Sequence, residues 1–316
     1  MGIFDFFRRS APPPPPTKGS AKGSKSAKAA TAAGKKGSAS KGDAPAKVVD
    51  KKVVGHAKLV ADKRAQAYDR YDAIRALCEL KSPDAAEALL KRFTFSIDPS
   101  ISDAEEKELA FQGIVDAGRM AKVSKTGKEL KDPATREALL KEARIRRKKV
   151  IRAVTAFCDR AEQLTWPLKI LRELLKDDEY AAALCGLLAE HDTEYSRDVQ
   201  PKTQIIIALE DVVDEAVRVE VERFLEDVNE TVRFHAAETT FAQKSEESVP
   251  ALVKTLASEE SVRIKNKIAD GMLKAGWVVP EALRDTANQH LRETDGYSVS
   301  ADGKMVKRVK PPSFFD

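Results

Sequence analysis

Two dipeptides recur at one spacing in the last third of this 316-residue chain. Val232-Arg233 returns as Val262-Arg263, and Val249-Pro250 returns as Val279-Pro280, each 30 residues later. Two independent pairs with a common offset point to a repeated unit. Val219, 30 residues before Val249 and followed by Phe224-Leu225 at helical spacing, extends it to three. A unit of this size holds two helices, and one such hairpin cannot bury its apolar face alone, so neighbours must stack. The period therefore restricts the body to an all-α stack of hairpins.

The residues inside the unit fit that plan. In Asp227-Val228-Asn229-Glu230-Thr231-Val232-Arg233 the polar residues are placed to cap the next helix, whose Val232, Ala236, Ala237 and Phe241 make one inward stripe. Ser248 is expected to cap a second helix with Pro250 in its first turn and Val249, Leu252, Val253 and Leu256 on one face. Short polar breaks then force antiparallel neighbours. The same spacing predicts helices over 57–80, 83–93, 102–118, 133–160, 166–176, 178–190, 200–211, 214–226, 231–242, 247–257, 261–275 and 279–292. Ser82-Pro83, Asp132-Pro133 and Thr165-Trp166-Pro167 are start signals, and Ser102 with Glu105 has the spacing of a capping box. After Arg292, alternation on either side of Asp302-Gly303 predicts a β-hairpin with a type I′ turn that closes the open end of the stack.

Composition then divides the chain into four parts. Residues 1–9 read as a short amphipathic segment, 10–56 as a linker of Pro, Ala, Lys, Gly and Ser, 57–293 as the helical stack and 294–316 as the hairpin and a tail. The linker has too little apolar surface to offset its ordering entropy and is expected to be disordered. Residues 1–64 carry 15 Lys+Arg against 4 Asp+Glu, net +11, whereas the remainder carries 40 against 46, net −6. An acidic body is a poor grip for a phosphate backbone, which leaves nucleic acid to the tail and to local patches. Cys78, Cys158 and Cys185 are far apart, odd in number and set in apolar helical patterns, so they read as reduced core thiols of a reducing cytoplasm. Met1 to Arg9 lacks the order of a secretory leader, and Ile205-Ile206-Ile207-Ala208-Leu209 meets Glu210-Asp211 too soon to span a bilayer.

An acidic turn followed by Val-Arg, with a second helix opening at Val-Pro, resembles the HEAT-repeat family, in particular its short bacterial, PBS-lyase-like type. The resemblance is strongest over 199–292 and looser over 66–118, where Tyr71-Asp72-Ala73-Ile74-Arg75-Ala76-Leu77 and the stretch from Glu106 to Gly118 carry it. It implies a right-handed, armadillo-like α-solenoid in which Asp227 with Arg233, and Glu260 with Arg263, hold the turns. The segment from Asp132 to Arg160 is too long for a standard unit, so the number of repeats stays open.

Enzymes exist on this architecture, and each kind has its own residue signature. HEAT-type iron hydroxylases use repeated His-Glu pairs, but His56, His191, His235 and His290 are followed by Ala, Asp, Ala and Leu. No residue identifies a chromophore site of the lyase kind, and no phosphate loop or zinc-protease motif occurs. No catalytic residue, cofactor or metal is therefore expected. Arg144, Arg146, Arg147, Lys148, Lys149 and Arg152 form the densest basic run of the body, either a contact for phosphate or acidic surface or the solvated face of a helix whose inward stripe includes Ile145, Val150, Ile151, Val154, Phe157 and Cys158. Trp166 and Trp277 are expected to pack at hairpin ends, with an exposed groove as the alternative. Ile3, Phe4, Phe6 and Phe7 fall on one helical face, and with Arg8 and Arg9 they could touch an anionic membrane or a partner.

The sequence thus predicts a non-enzymatic scaffold that holds a protein partner on the second helices of its hairpins, within 214–226, 247–257 and 279–292. It would be cytoplasmic or peripheral at the inner face of the membrane, tethered by its N-terminal tail. The rival reading is a nucleic-acid-associated protein that uses the basic tail and the 144–152 patch.

Overall fold

Three of the described helices start where a side chain takes the first unpaired amides. Ser82 Oγ accepts the Ala85 N–H at 3.1 Å, Asp214 accepts that of Ala216 at 2.8 Å, and Asn229 accepts those of Thr231 and Val232 at 2.9 and 3.4 Å. The computed structural model describes residues 51–120 and 133–308. The amphipathic segment at 1–9, the linker up to residue 50, Asp132 and the tail from residue 309 lie outside the described residues.

Within them run α1 (Lys51–Ala61), α2 (Ala67–Leu80), α3 (Pro83–Leu90), α4 (Ser100–Gly118), α5 (Pro133–Cys158), α6 (Thr165–Leu174) and α7 (Asp177–Leu188). They are followed by α8 (Gln200–Ala208), α9 (Glu215–Glu222), α10 (Glu230–Ala242), α11 (Val249–Ser258), α12 (Val262–Ala275) and α13 (Glu281–His290). The chain ends in β1 (Tyr297–Val299) and β2 (Met305–Lys307). The helices form two layers. In one, α2, α4, α6, α8, α10 and α12 each touch the next; in the other run α1, α3, α5, α7, α9, α11 and α13, with α9 reaching α11 through its 3-10 extension at Arg223–Glu226. The long α5 takes an ordinary place between α3 and α7. Ile74, Leu77, Ile114, Val154, Leu171, Leu184, Ile206, Val221, Phe224 and Ile268 are among the side chains sealed between the layers. This is an all-α helical repeat fold with a two-stranded cap.

The period of 30 found the repeat but not its register. Helices α10 and α12 start 32 residues apart, as do α11 and α13. Val232 is fully buried, but Val262 opens α12 with 44% of its surface exposed, and Ile264, at 0%, takes the inward position. Val249 and Val279 are both buried at hairpin corners, yet Val249 begins α11 whereas Val279 and Pro280 precede α13. Val219 is exposed, and Val217 packs inward in its place.

Other boundaries shifted for identifiable reasons. The single helix expected over 57–80 breaks at 62–66, where Asp62 accepts the Arg64 amide at 2.8 Å and the Arg70 guanidinium donates to the Ala65 carbonyl at 2.8 Å. Ser102 lies inside α4 and starts nothing; Asp103 instead accepts the Ile97 amide at 3.1 Å. Ser248 does not cap α11, because its hydroxyl donates to Glu222 at 2.6 Å. In the hairpin, Tyr297, Ser298 and Val299 pair with Lys307, Val306 and Met305. Its loop is not a two-residue type I′ turn. Gly303 donates to the Ser300 carbonyl and Gly303 alone has positive φ, at +85°, while Ser300 N–H closes on Lys304. That is a three-residue loop with a left-handed glycine. Asn288 bonds Val299 twice, at 2.7 and 3.2 Å, and Val279 N–H donates to Gly303, so the hairpin does cover the end of α12 and α13.

Candidate functional site

A groove of about 650 Å³ lies on the layer of α8, α10 and α12. Glu210 comes from the 3-10 turn that ends α8, and Glu238 and Phe241 come from α10. Lys267, Asp270, Gly271 and Lys274 come from α12, with Trp277 just beyond it. Gly276, at φ +69°, ends α12 in the left-handed conformation and turns the chain so that Trp277 folds back. Trp277 stacks on Phe241 with centroids 5.1 Å apart. A Cβ on Gly271 would stand 2.3 Å from the Phe241 ring, so the glycine is what lets that ring lie against α12.

The rim carries both charges in pairs. Lys267 bonds Glu238, and Lys274 meets Asp270 at 2.6 Å. The hydrogen bond from Lys274 holds the Asp270 carboxyl below its usual range despite some burial. Glu210 is the opposite case: burial pushes its carboxyl up, and the neighbouring charges of Glu238 and Asp211 add to it. His235, one helical turn before Glu238, sets Nδ1 3.1 Å from Glu238 Oε2. Glu210, His235 and Glu238 each bring one ligand-capable atom to within 4.8 Å of the others. Sequence reading missed this group because it looked for adjacent His-Glu pairs. The available signal was His235-x-x-Glu238, which puts both on one face, but Glu210 joins them only through the packing of α8 on α10.

The basic run on α5 separates by role. Arg146 Nε donates to the Ala117 carbonyl at 3.0 Å, and Arg147 donates to the Leu174 carbonyl and to Glu179, the latter at 3.1 Å. Both thus secure the ends of neighbouring helices. Arg144, Lys148, Lys149 and Arg152 are exposed, and so is Ile145, which leaves the inward stripe to Ala143, Val150, Val154 and Cys158 with the half-buried Ile151 and Phe157 packed against the core. Trp166 packs on the core side of its helix end, stacked 5.7 Å from Phe93 and tilted against Phe111 at 5.9 Å. Burial raises the thiol pKa values of Cys78, Cys158 and Cys185 to about 11, about 12 and about 12. No described helix is long and apolar enough to cross a membrane.

At the turns, Arg233 donates to the carbonyls of Asp227 and Val228 at 2.8 and 3.0 Å and forks onto Glu259 at 2.7 and 2.9 Å. The carboxylate that holds the next turn is therefore Glu259 rather than Glu260: it accepts the amides of Glu260 and Ser261. Arg263 lies over Phe234, its guanidinium carbon 3.8 Å from the ring centroid, and does not meet Glu260. Near the other end, Glu106 of α4 joins two buried arginines, Arg70 at 2.7 Å and Arg92 at 2.6 Å.

Residues 69–94 match the family described as PBS lyase HEAT-like repeat. The chain carries a HEAT-like repeat. The matched stretch covers most of α2, all of α3 and the 3-10 turn after it, one helical hairpin with its corner. It falls where the sequence resemblance was looser. Among curated proteins, none matches the chain. In this HEAT-like unit, Arg70 and Arg92 sit in the first helix and after the second, both anchored on the following unit through Glu106.

Proposed function

We propose that this HEAT-like repeat protein is a non-enzymatic scaffold that holds a segment of a partner protein in the groove over α10 and α12. One observation carries the reading. Phe241 and Trp277 stack at the floor of a 650 Å³ open groove whose rim alternates Lys267, Lys274 and Lys244 with Glu238, Asp270 and Glu210. An apolar floor with a polar, mixed-charge rim suits an extended polypeptide that inserts one large apolar side chain and pairs its own charges around it. This moves the contact face from the second helices, at 214–226, 247–257 and 279–292, to the first helices of the same hairpins. A tethering role for the tail, contact of Ile3 to Arg9 with a membrane and a cytoplasmic location belong to the same proposal, on sequence grounds. Because Arg146 and Arg147 are engaged by the carbonyls of adjacent helices, the alternative nucleic-acid reading rests on the tail and on the exposed Arg144, Lys148, Lys149 and Arg152.

Co-purification with the full chain tests it. Lys244 and Lys274 are exposed rim residues, so Lys244→Glu with Lys274→Glu should keep the helical circular-dichroism spectrum yet lose the proteins retained by wild type. An unchanged set of retained proteins would move the binding face elsewhere.

A further inference from the structure

We propose that Glu210, His235 and Glu238 form a binding site for one divalent transition-metal cation of the zinc class, open to the groove. The donor set is one imidazole nitrogen and two carboxylate oxygens, each half-buried and within 4.8 Å of the other two. Such a set suits a borderline cation and leaves coordination positions for water or a ligand group arriving from the groove. Closing three ligands onto an ion at about 2.1 Å needs only a modest inward swing of the side chains.

The surroundings hold the ligands without consuming them. The two oxygens of Glu238 are divided: Oε1 takes Lys267, while Oε2 faces His235 Nδ1 at 3.1 Å. Lys267 therefore fixes the carboxylate while leaving the inner oxygen toward the site, the orienting role that outer partners play around metal ligands. On the other side Thr239 spans the helix pair, with Oγ1 donating to the Ile206 carbonyl at 2.9 Å and lying 3.5 Å from Glu210 Oε1. His235 and Glu238 share a face of α10, and the 3-10 turn at Leu209–Asp211 that ends α8 supplies Glu210, so all three stand on packed helical elements rather than on a long loop.

Charge points the same way. Two carboxylates, Glu210 and Glu238, stand at the site against one lysine, Lys267. A divalent ion balances that excess. Binding uses the Nδ1 lone pair of a neutral imidazole, so the proton bridging His235 and Glu238 is released to water or carried on Nε2. The proposal stands independently of the scaffold reading, since the ion can bind whatever occupies the groove.

The test is titration of the metal-free full chain with Zn²⁺ by calorimetry and with Co²⁺ by absorption. One ion per chain is expected, with a Co²⁺ spectrum of nitrogen and oxygen ligands and no sulfur-to-metal charge-transfer band. Glu210→Gln and His235→Asn should each weaken binding by about tenfold or more while leaving the helical spectrum intact. Because the chain has 4 histidines, imidazole NMR gives a readout that needs no variant: one resonance, that of His235, should move on Zn²⁺ addition. No binding, a thiolate band, wild-type affinity in both variants, or a shift confined to the other histidines would overturn the site.

Discussion

Lys202 Nζ of α8 lies 2.6 Å from Asp227 Oδ2 in the turn before α10, with both side chains almost completely buried. Thirty-one residues after Lys202, Arg233 repeats the contact on Glu259, and after a further 32 the buried Lys265 occupies the same place in α12. The pairs Lys202–Asp227 and Arg233–Glu259, each a cation on the first helix of one unit and an acid in the next turn, tie successive hairpins together. Asp227 also accepts the Asn229 amide at 2.8 Å, so it holds its own turn and the preceding helix at once.

Removing one member of that pair should therefore be severe. Asp227→Ala strands a buried ammonium and is expected to cost about 3–5 kcal/mol. Lys202→Met combined with Asp227→Ala should cost less than the sum of the singles. Denaturant melts of the four proteins form the cycle, and strict additivity would show that the pair is not coupled.

Two substitutions decide between a period of 30 and one of 32. Ile264→Ala empties a fully buried position and should lose about 2–4 kcal/mol. Val262→Ala, at 44% exposure, should stay within about 0.5 kcal/mol of wild type. A larger loss at Val262 in the same melts would restore the sequence register.

The basic run of α5 should split in the same way. Arg147→Ala removes the donor to the Leu174 carbonyl and Glu179 and is expected to lower stability by about 1–2 kcal/mol, discounted for its partial exposure. Lys149→Ala, on the exposed face, should change stability by less than about 0.5 kcal/mol. Thermal unfolding separates them, and equal effects would mean that Arg147 is as solvated as its neighbour.

Two carboxyls should give pH signatures of opposite sign. Burial alone would raise Glu259, but the hydrogen bonds from Arg233 and the Ser261 amide outweigh it and hold the carboxyl below its ordinary value. Its contribution is complete above the unfolded value of about 4.3 and is lost as pH falls through the lower folded value. Glu259→Gln should thus be less stable than wild type at pH 7 and converge with it in acid. Glu210 is raised in the fold by burial and by Glu238, so it costs stability as pH rises past the unfolded value. In metal-free protein, Glu210→Gln should melt higher than wild type at pH 7 and lose that advantage below about pH 4. The reverse order for either variant would contradict the assigned shift.

Much of the helical content was written in local sequence. Asn229 before Thr231-Val232, Ser82 before Pro83 and the apolar spacing of Val249, Leu252, Val253 and Leu256 act within one or two turns, so they can be read without knowing the fold. The family match at 69–94 and the hairpin at the end follow from the same short-range signals. Even there, the recurrence of Val-Arg was blind to a slip of two residues, because the dipeptide looks the same whether its valine faces in or out.

What the chain could not state by itself was which residues meet across the stack. Arg70 breaks the expected long helix by reaching Ala65 and Glu106, Ser248 turns to Glu222 instead of capping, and Glu210 joins His235 and Glu238. Each of these depends on two helices being set side by side at a particular offset and rotation. That setting is fixed by the packing of many apolar side chains at once, and no spacing along a single helix encodes it.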